Sequence, residues 1–138
     1  MGHHASMSHA AVRLAVLATA ALTVFGASAA TATLATAPAR PFIGTASSGL
    51  VGGTITATAR WIAPSNDGGA AITKYQVIAQ RLNVNNAVTA SYRSIYKGPA
   101  ARNLAMTLPA GRYQFRVMAW NSVGASASSP QSNIVTSR

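Results

Sequence analysis

The chain has 138 residues, 49% of them hydrophobic and only 9% charged, a globular composition and not that of a disordered polyelectrolyte. Eleven Lys and Arg stand against one acidic residue, Asp67, for a formal charge of +10. There is no cysteine, which excludes a disulfide framework, a thiolate metal site and a lipid-modified N-terminal Cys.

The first segment carries an address. Residues up to Ala11 are polar, Arg13 supplies a positive charge, and an apolar run follows from Leu14 to Phe25. Ala27-Ser28-Ala29 then fits the small-residue rule for signal peptidase, so residues 1–29 are expected to be a secretory signal peptide. The run is too short for the ~20 apolar residues that span a bilayer, so no transmembrane anchor is expected after cleavage. His3, His4 and His9 precede the run and would leave with the leader. The protein is therefore expected to be secreted, extracellular or associated with the cell wall. Residues 30–40 are Ala/Thr-rich with little periodicity and read as a linker or exposed tail.

From Pro41 onward the chain alternates like a series of strands. Pro41 to Gly49 predicts an edge strand, since a starting proline costs no ladder hydrogen bond. Thr54 to Ile62 places Ile55, Ala57, Ala59 and Trp61 on one face and Thr54, Thr56, Thr58 and Arg60 on the other. A turn-rich loop, Pro64 to Gly69, leads to a strand over 72–81 with Tyr75, Val77 and Ala79 inward. A shorter strand is expected over 90–97, then one presenting Leu104, Met106 and Leu108 to the core. After the turn Pro109-Ala110-Gly111 the alternation is clearest: Tyr113, Phe115, Val117 and Ala119 inward, Gln114, Arg116, Met118 and Trp120 outward. A last strand is expected over 131–136. Apart from the leader, nothing reads as a helix.

Several of these features resemble the fibronectin type III family, in its secreted, single-domain bacterial type. They are Trp61 just before Ala63-Pro64, the loop running to Asp67-Gly68-Gly69, Ile72-Thr73-Lys74-Tyr75-Gln76-Val77, and Ala119-Trp120-Asn121-Ser122-Val123-Gly124. The resemblance covers roughly Pro41 to Thr136 and implies an all-β fold, a seven-stranded immunoglobulin-like β-sandwich over residues 41–138. It also implies that Tyr113 hydrogen-bonds back to upstream backbone, as the family's corner tyrosine does.

Chemistry is constrained by what is missing. Beyond residue 29 there is no His, no Cys, no Glu and one Asp, so nucleophilic triads and paired carboxylates cannot be assembled. No catalytic, cofactor-binding or metal-binding residues are assigned, and an enzyme is not expected. The outward row is the sharper candidate. By alternation, Lys74, Gln76, Ile78 and Gln80 lie beside Gln114, Arg116, Met118 and Trp120 on the neighbouring strand. Trp and Arg are enriched at binding hot spots, so Ile78, Arg116, Met118 and Trp120 are expected to contact a protein partner or another cell-surface component. The alternative is a cationic wall- or matrix-associated protein whose dispersed Lys and Arg attract anionic polymers: cell-wall polymer, glycosaminoglycan or extracellular nucleic acid. No run of adjacent basic residues and no nucleic-acid motif sharpens that second reading.

Overall fold

Alternation along three stretches generates the core. In the computed structural model, which describes residues 33–138, β3 (Thr56–Ile62), β4 (Lys74–Leu82) and β7 (Gly111–Trp120) supply most of the inward side chains. Ala57, Ala59 and Trp61 of β3 face Tyr75, Val77 and Ala79 of β4 and Tyr113, Phe115, Val117 and Ala119 of β7, all 2% exposed or less. The signal peptide expected over residues 1–29 lies outside the described residues. Ala35–Arg138 forms one compact unit, and the architecture below is that of this unit.

The remaining strands are β1 (Phe42–Ile43), β2 (Ser47–Ser48), β5 (Val88–Arg93), β6 (Asn103–Thr107) and β8 (Val135–Ser137). Two antiparallel sheets result. In one, β1 and β2 pair with β3 and β6 pairs with β3 along Thr56–Arg60. In the other the order is β5-β4-β7-β8. Each sheet turns one apolar face to the other, and the small residues Ala57, Ala59, Ala79 and Ala119 leave room for the large ones between them. Trp61 tilts against Tyr75, with ring centroids 5.6 Å apart. Burying each large aliphatic or aromatic side chain contributes about 1.5–3 kcal/mol.

The corner tyrosine behaves as the resemblance implied: Tyr113 Oη donates to the Pro109 carbonyl at 2.8 Å. Its phenol, like that of Tyr75, is pushed above the usual tyrosine pKa of 10.0, chiefly because burial disfavours the phenolate.

The strand edges depart from the expected pattern. The first strand is broken in two, because at Ala46 the chain turns to the Asn133 carboxamide, which accepts from the Ala46 amide at 2.8 Å and donates to its carbonyl at 3.1 Å. Ile55, expected inward, lies just before β3; its carbonyl accepts the Leu108 amide at 3.2 Å, but the residue is 41% exposed. The strand expected over 131–136 is confined to Val135–Ser137. Ahead of it, Ser126, Ser129 and Ser132 donate their amides to the carbonyls of Ala119, Val117 and Phe115 at 2.7–2.9 Å. Their hydroxyls accept the amides of those same β7 residues at 2.8–3.0 Å. This segment advances three residues for every two of β7, so side-chain oxygens replace the carbonyls a regular strand would offer.

The strand expected over 90–97 is shifted for the same reason. It runs over Val88–Arg93, then Ser94 exchanges hydrogen bonds with Val77 through its amide and hydroxyl, and Lys97 pairs with Tyr75. Here too the edge steps three residues for two of β4.

Candidate partner-binding face

The outer face of β4 and β7 is set by register. Lys74 lies opposite Trp120, Gln76 opposite Met118, Ile78 opposite Arg116 and Gln80 opposite Gln114. The rows therefore bring together the side chains that alternation assigned to one face. Their exposure differs from the expectation at two positions, Gln76, which is 8% exposed, and Ile78. Ile78 is only 7% exposed, so it does not belong with Arg116, Met118 and Trp120 as contact surface. Its direct cross-strand neighbours are Arg93 and Arg116, and arginine stems laid along a sheet cover the apolar residue between them.

Trp120 is half-buried, and two side chains cover it. Tyr96 meets its ring edge-on, with centroids 5.3 Å apart and an interplanar angle of 84°. The Lys74 ammonium lies 3.9 Å from the centre of the Tyr96 ring and 5.7 Å from that of Trp120, within range of cation–π attraction to both. Tyr96 is 52% exposed and Ile95 beside it 75%. Read as part of a regular strand, Tyr96 gave no sign of joining this cluster; the three-for-two step after Ser94 brings it there.

Polar groups on the face are tied to one another. Gln114 Nε2 donates to Gln80 Oε1 at 2.9 Å, and Gln76 Nε2 to the Ser94 carbonyl at 2.8 Å. Arg93 Nη1 reaches Gln76 Oε1 at a long 3.3 Å. Arg116 Nη1 approaches the Ser129 carbonyl at 3.4 Å, while its buried Nε has no partner among the described residues. Lys74, Arg93, Arg112 and Arg116 thus share a face on which the described strands place no carboxylate.

The one acid is used elsewhere. Asp67 Oδ1 accepts the Gly69 amide at 2.8 Å in the loop between β3 and β4. Asn121, which directly follows β7 and is 5% exposed, binds that loop to its surroundings. Its Nδ2 donates to the carbonyls of Thr36 (2.6 Å) and Asp67 (2.8 Å), and its Oδ1 accepts from the amides of Val123 and Gly124. Thr36 and Ala39, in the stretch expected as linker or tail, also donate backbone bonds to Gly68 and Asn66. Gly68 has φ +79°, and a Cβ there would strike the Thr36 and Ala37 carbonyls. These bonds knit this end of the sandwich together. Among the described residues no group of three His, Cys, Asp or Glu side chains could hold a metal ion.

No family's sequence profile matches the chain, and no curated protein matches it significantly. Solved structures do. A crystal structure of domains A168–A170 from titin superposes with a TM-score of 0.59 at 25% identity, covering 75% of this chain and 33% of that one. The fourth FNIII domain of a human protein gives a TM-score of 0.55 at 22% identity, covering 79% and 86%. The FN5 domain of Drosophila Lar gives 0.51 at 17% identity, covering 72% and 96%. The chain spans about a third of the titin fragment, and these likenesses establish the fold.

Proposed function

We propose that this fibronectin type III-like domain is an exported, non-catalytic binding or adhesion module that meets a protein partner through the outer face of β4 and β7. The observation that carries the reading is the cluster of Trp120, Tyr96 and Lys74, continued by Met118 and Arg116. It presents aromatic, thioether and guanidinium groups together, the chemistry enriched at hot spots. The Tyr96 contact and the Lys74 ammonium hold Trp120 in place, which reduces the side-chain entropy lost on binding. Export rests on the leader-like residues 1–29. Lack of catalysis rests on the poverty of acid–base groups and on the commitment of Asp67 to a turn.

The alternative, a cationic wall- or matrix-associated protein held by anionic polymers, is favoured by the excess of Lys and Arg over the single Asp67. Several arginines are, however, engaged in bracing backbone. Arg60 donates to Thr45, Arg81 to Ala110, Arg102 to Pro99 and Arg112 to Asn83. A pull-down from cell-surface extract at low and high salt separates the two readings. Polymer retention collapses as salt rises, whereas contact through the Trp120 cluster persists and is lost with Trp120→Ala. Retention that Trp120→Ala leaves intact at both salts sinks the face reading.

A further inference from the structure

We infer that the free edge of β5 accepts an extended acidic peptide segment of the partner as a fifth strand of the β5-β4-β7-β8 sheet. This rests on the reading that the domain binds a protein partner, and adds to it the partner's conformation and charge.

The backbone points to the edge first. Ser94 exchanges hydrogen bonds with Val77, and the register pairs Tyr92 with Ala79 and Ala90 with Arg81. In an antiparallel pair, bonded and non-bonded positions alternate, so the amide and carbonyl of Ser91 and of Arg93 face away from β4. Among the described residues no backbone group bonds them there. Elsewhere the edges of this sheet are short or irregular: β8 is only three residues long, and its Thr136 amide donates to Ser48 Oγ at 3.3 Å. Segment 94–97 and the serine segment 126–132 both step three residues for two and offer no regular ladder. Ala90–Arg93, beyond the bulge that sets Val88 opposite Leu82, is left as the regular stretch of free edge, and such an edge is a template for another strand.

Charge then selects the occupant. A second copy of this cationic chain would bring Lys and Arg against Lys and Arg, which disfavours self-pairing. A residue added opposite Arg93 stands on the outer face, in one row with Arg93, Ile78 and Arg116. A carboxylate there meets the Arg93 guanidinium directly, in a row without an acid; Arg116 lies three strand spacings away, ~14 Å. Arg93 is available for it, because its bond to Gln76 is long at 3.3 Å and its acceptor is neutral. Side chains opposite Ala90 and Tyr92 turn to the inner face and can be apolar. Farther along, the incoming chain reaches Ile95 and Tyr96 beside Trp120, which gives it an apolar anchor. In the other sheet, the edge strand β6 has no charged residue in its span and no such anchor. The fitting ligand alternates acidic and β-branched residues.

The test uses the purified protein and a fluorescent eight-residue peptide of alternating Glu and Val, with a Lys/Val peptide and polyglutamate of equal charge as comparisons. The Glu/Val peptide is expected to bind at least about tenfold more tightly than polyglutamate, which gains charge attraction but no ladder. Binding should slow hydrogen exchange at the Ser91 and Arg93 amides. Ser91→Pro removes an outward amide that makes no bond to β4, a position where an edge strand tolerates proline; it should weaken the peptide about tenfold. If that variant misfolds, exchange in the unaltered protein decides. Equal binding of polyglutamate, unchanged exchange at Ser91 and Arg93, or no binding of the Glu/Val peptide overturns strand addition. If the surface pull-down falls with Trp120→Ala but not with Ser91→Pro, the face reading survives and strand addition fails. If it falls with neither, both fail.

Discussion

Ser129 and Val117 exchange two hydrogen bonds of unlike kind: the Ser129 amide donates to the Val117 carbonyl at 2.8 Å, and the Val117 amide donates to the Ser129 hydroxyl at 2.9 Å. Both residues are fully buried. A side chain here does what backbone does in a regular ladder, so its loss is a loss of sheet structure. Ser129→Ala leaves the Val117 amide buried and unpaired and is expected to cost about 1–3 kcal/mol. The neighbouring Ser128→Ala should stay within about 0.5 kcal/mol. Urea unfolding of the two variants makes the comparison, and equal midpoints would show that the hydroxyl has no structural role.

Two buried tyrosines should respond oppositely to loss of the hydroxyl. Tyr113 Oη bonds Pro109, whereas Tyr75 Oη is buried with no partner among the described residues. Tyr113→Phe should lose about 1 kcal/mol, limited because the Pro109 carbonyl keeps its bond from Ser137 Oγ. Tyr75→Phe should be neutral or stabilising, since it removes an unsatisfied polar atom. Thermal midpoints of the two variants measure the contrast.

The same tyrosines make stability fall at alkaline pH. Burial raises both folded pKa values above 10.0, so the unfolded chain releases these protons first as pH rises. Their contribution to stability is complete below about pH 10 and is lost as pH climbs from there through the folded values. Urea midpoints between about pH 9 and 11.5 should fall more steeply for the unaltered protein than for the Tyr75→Phe/Tyr113→Phe double variant.

Asn121 satisfies both hydrogens and both lone-pair directions of one carboxamide. Asn121→Ala should cost about 2–3 kcal/mol and speed exchange at Val123 and Gly124. Asn121→Asp should be worse, because it sets a carboxylate against the Thr36 and Asp67 carbonyls. Chemical denaturation with amide exchange reads both effects.

On the outer face, Lys74 and Tyr96 should be energetically coupled. A double-mutant cycle with Lys74→Gln and Tyr96→Leu is expected to give about 0.5–1 kcal/mol. Zero coupling would mean that the ammonium does not hold the ring and that Trp120 is not preorganised by this contact.

Much of the fold was legible because alternation is a local property. Tyr113, Phe115, Val117 and Ala119 share one face whatever surrounds them, since successive strand residues must face opposite ways, and the same holds for Tyr75, Val77 and Ala79; their apolar character marks that face as the buried one. Facing rows such as Lys74 with Trp120 followed once those two strands were neighbours. The edges were a different matter. Ser126, Ser129 and Ser132 form no apolar pattern, and only the proximity of unpaired β7 amides gives their hydroxyls a partner.

The candidate site divides along the same line. Sequence by itself determined which face Ile78, Arg116, Met118 and Trp120 share, because face is set by parity along one strand. Tertiary structure decided what that face exposes, because exposure depends on residues brought from other strands. Arg93 and Arg116 flank Ile78 across the sheet, and Ile78 is buried. The step after Ser94 delivers Tyr96 to the edge of the Trp120 ring, so an isolated outward tryptophan becomes a braced aromatic cluster.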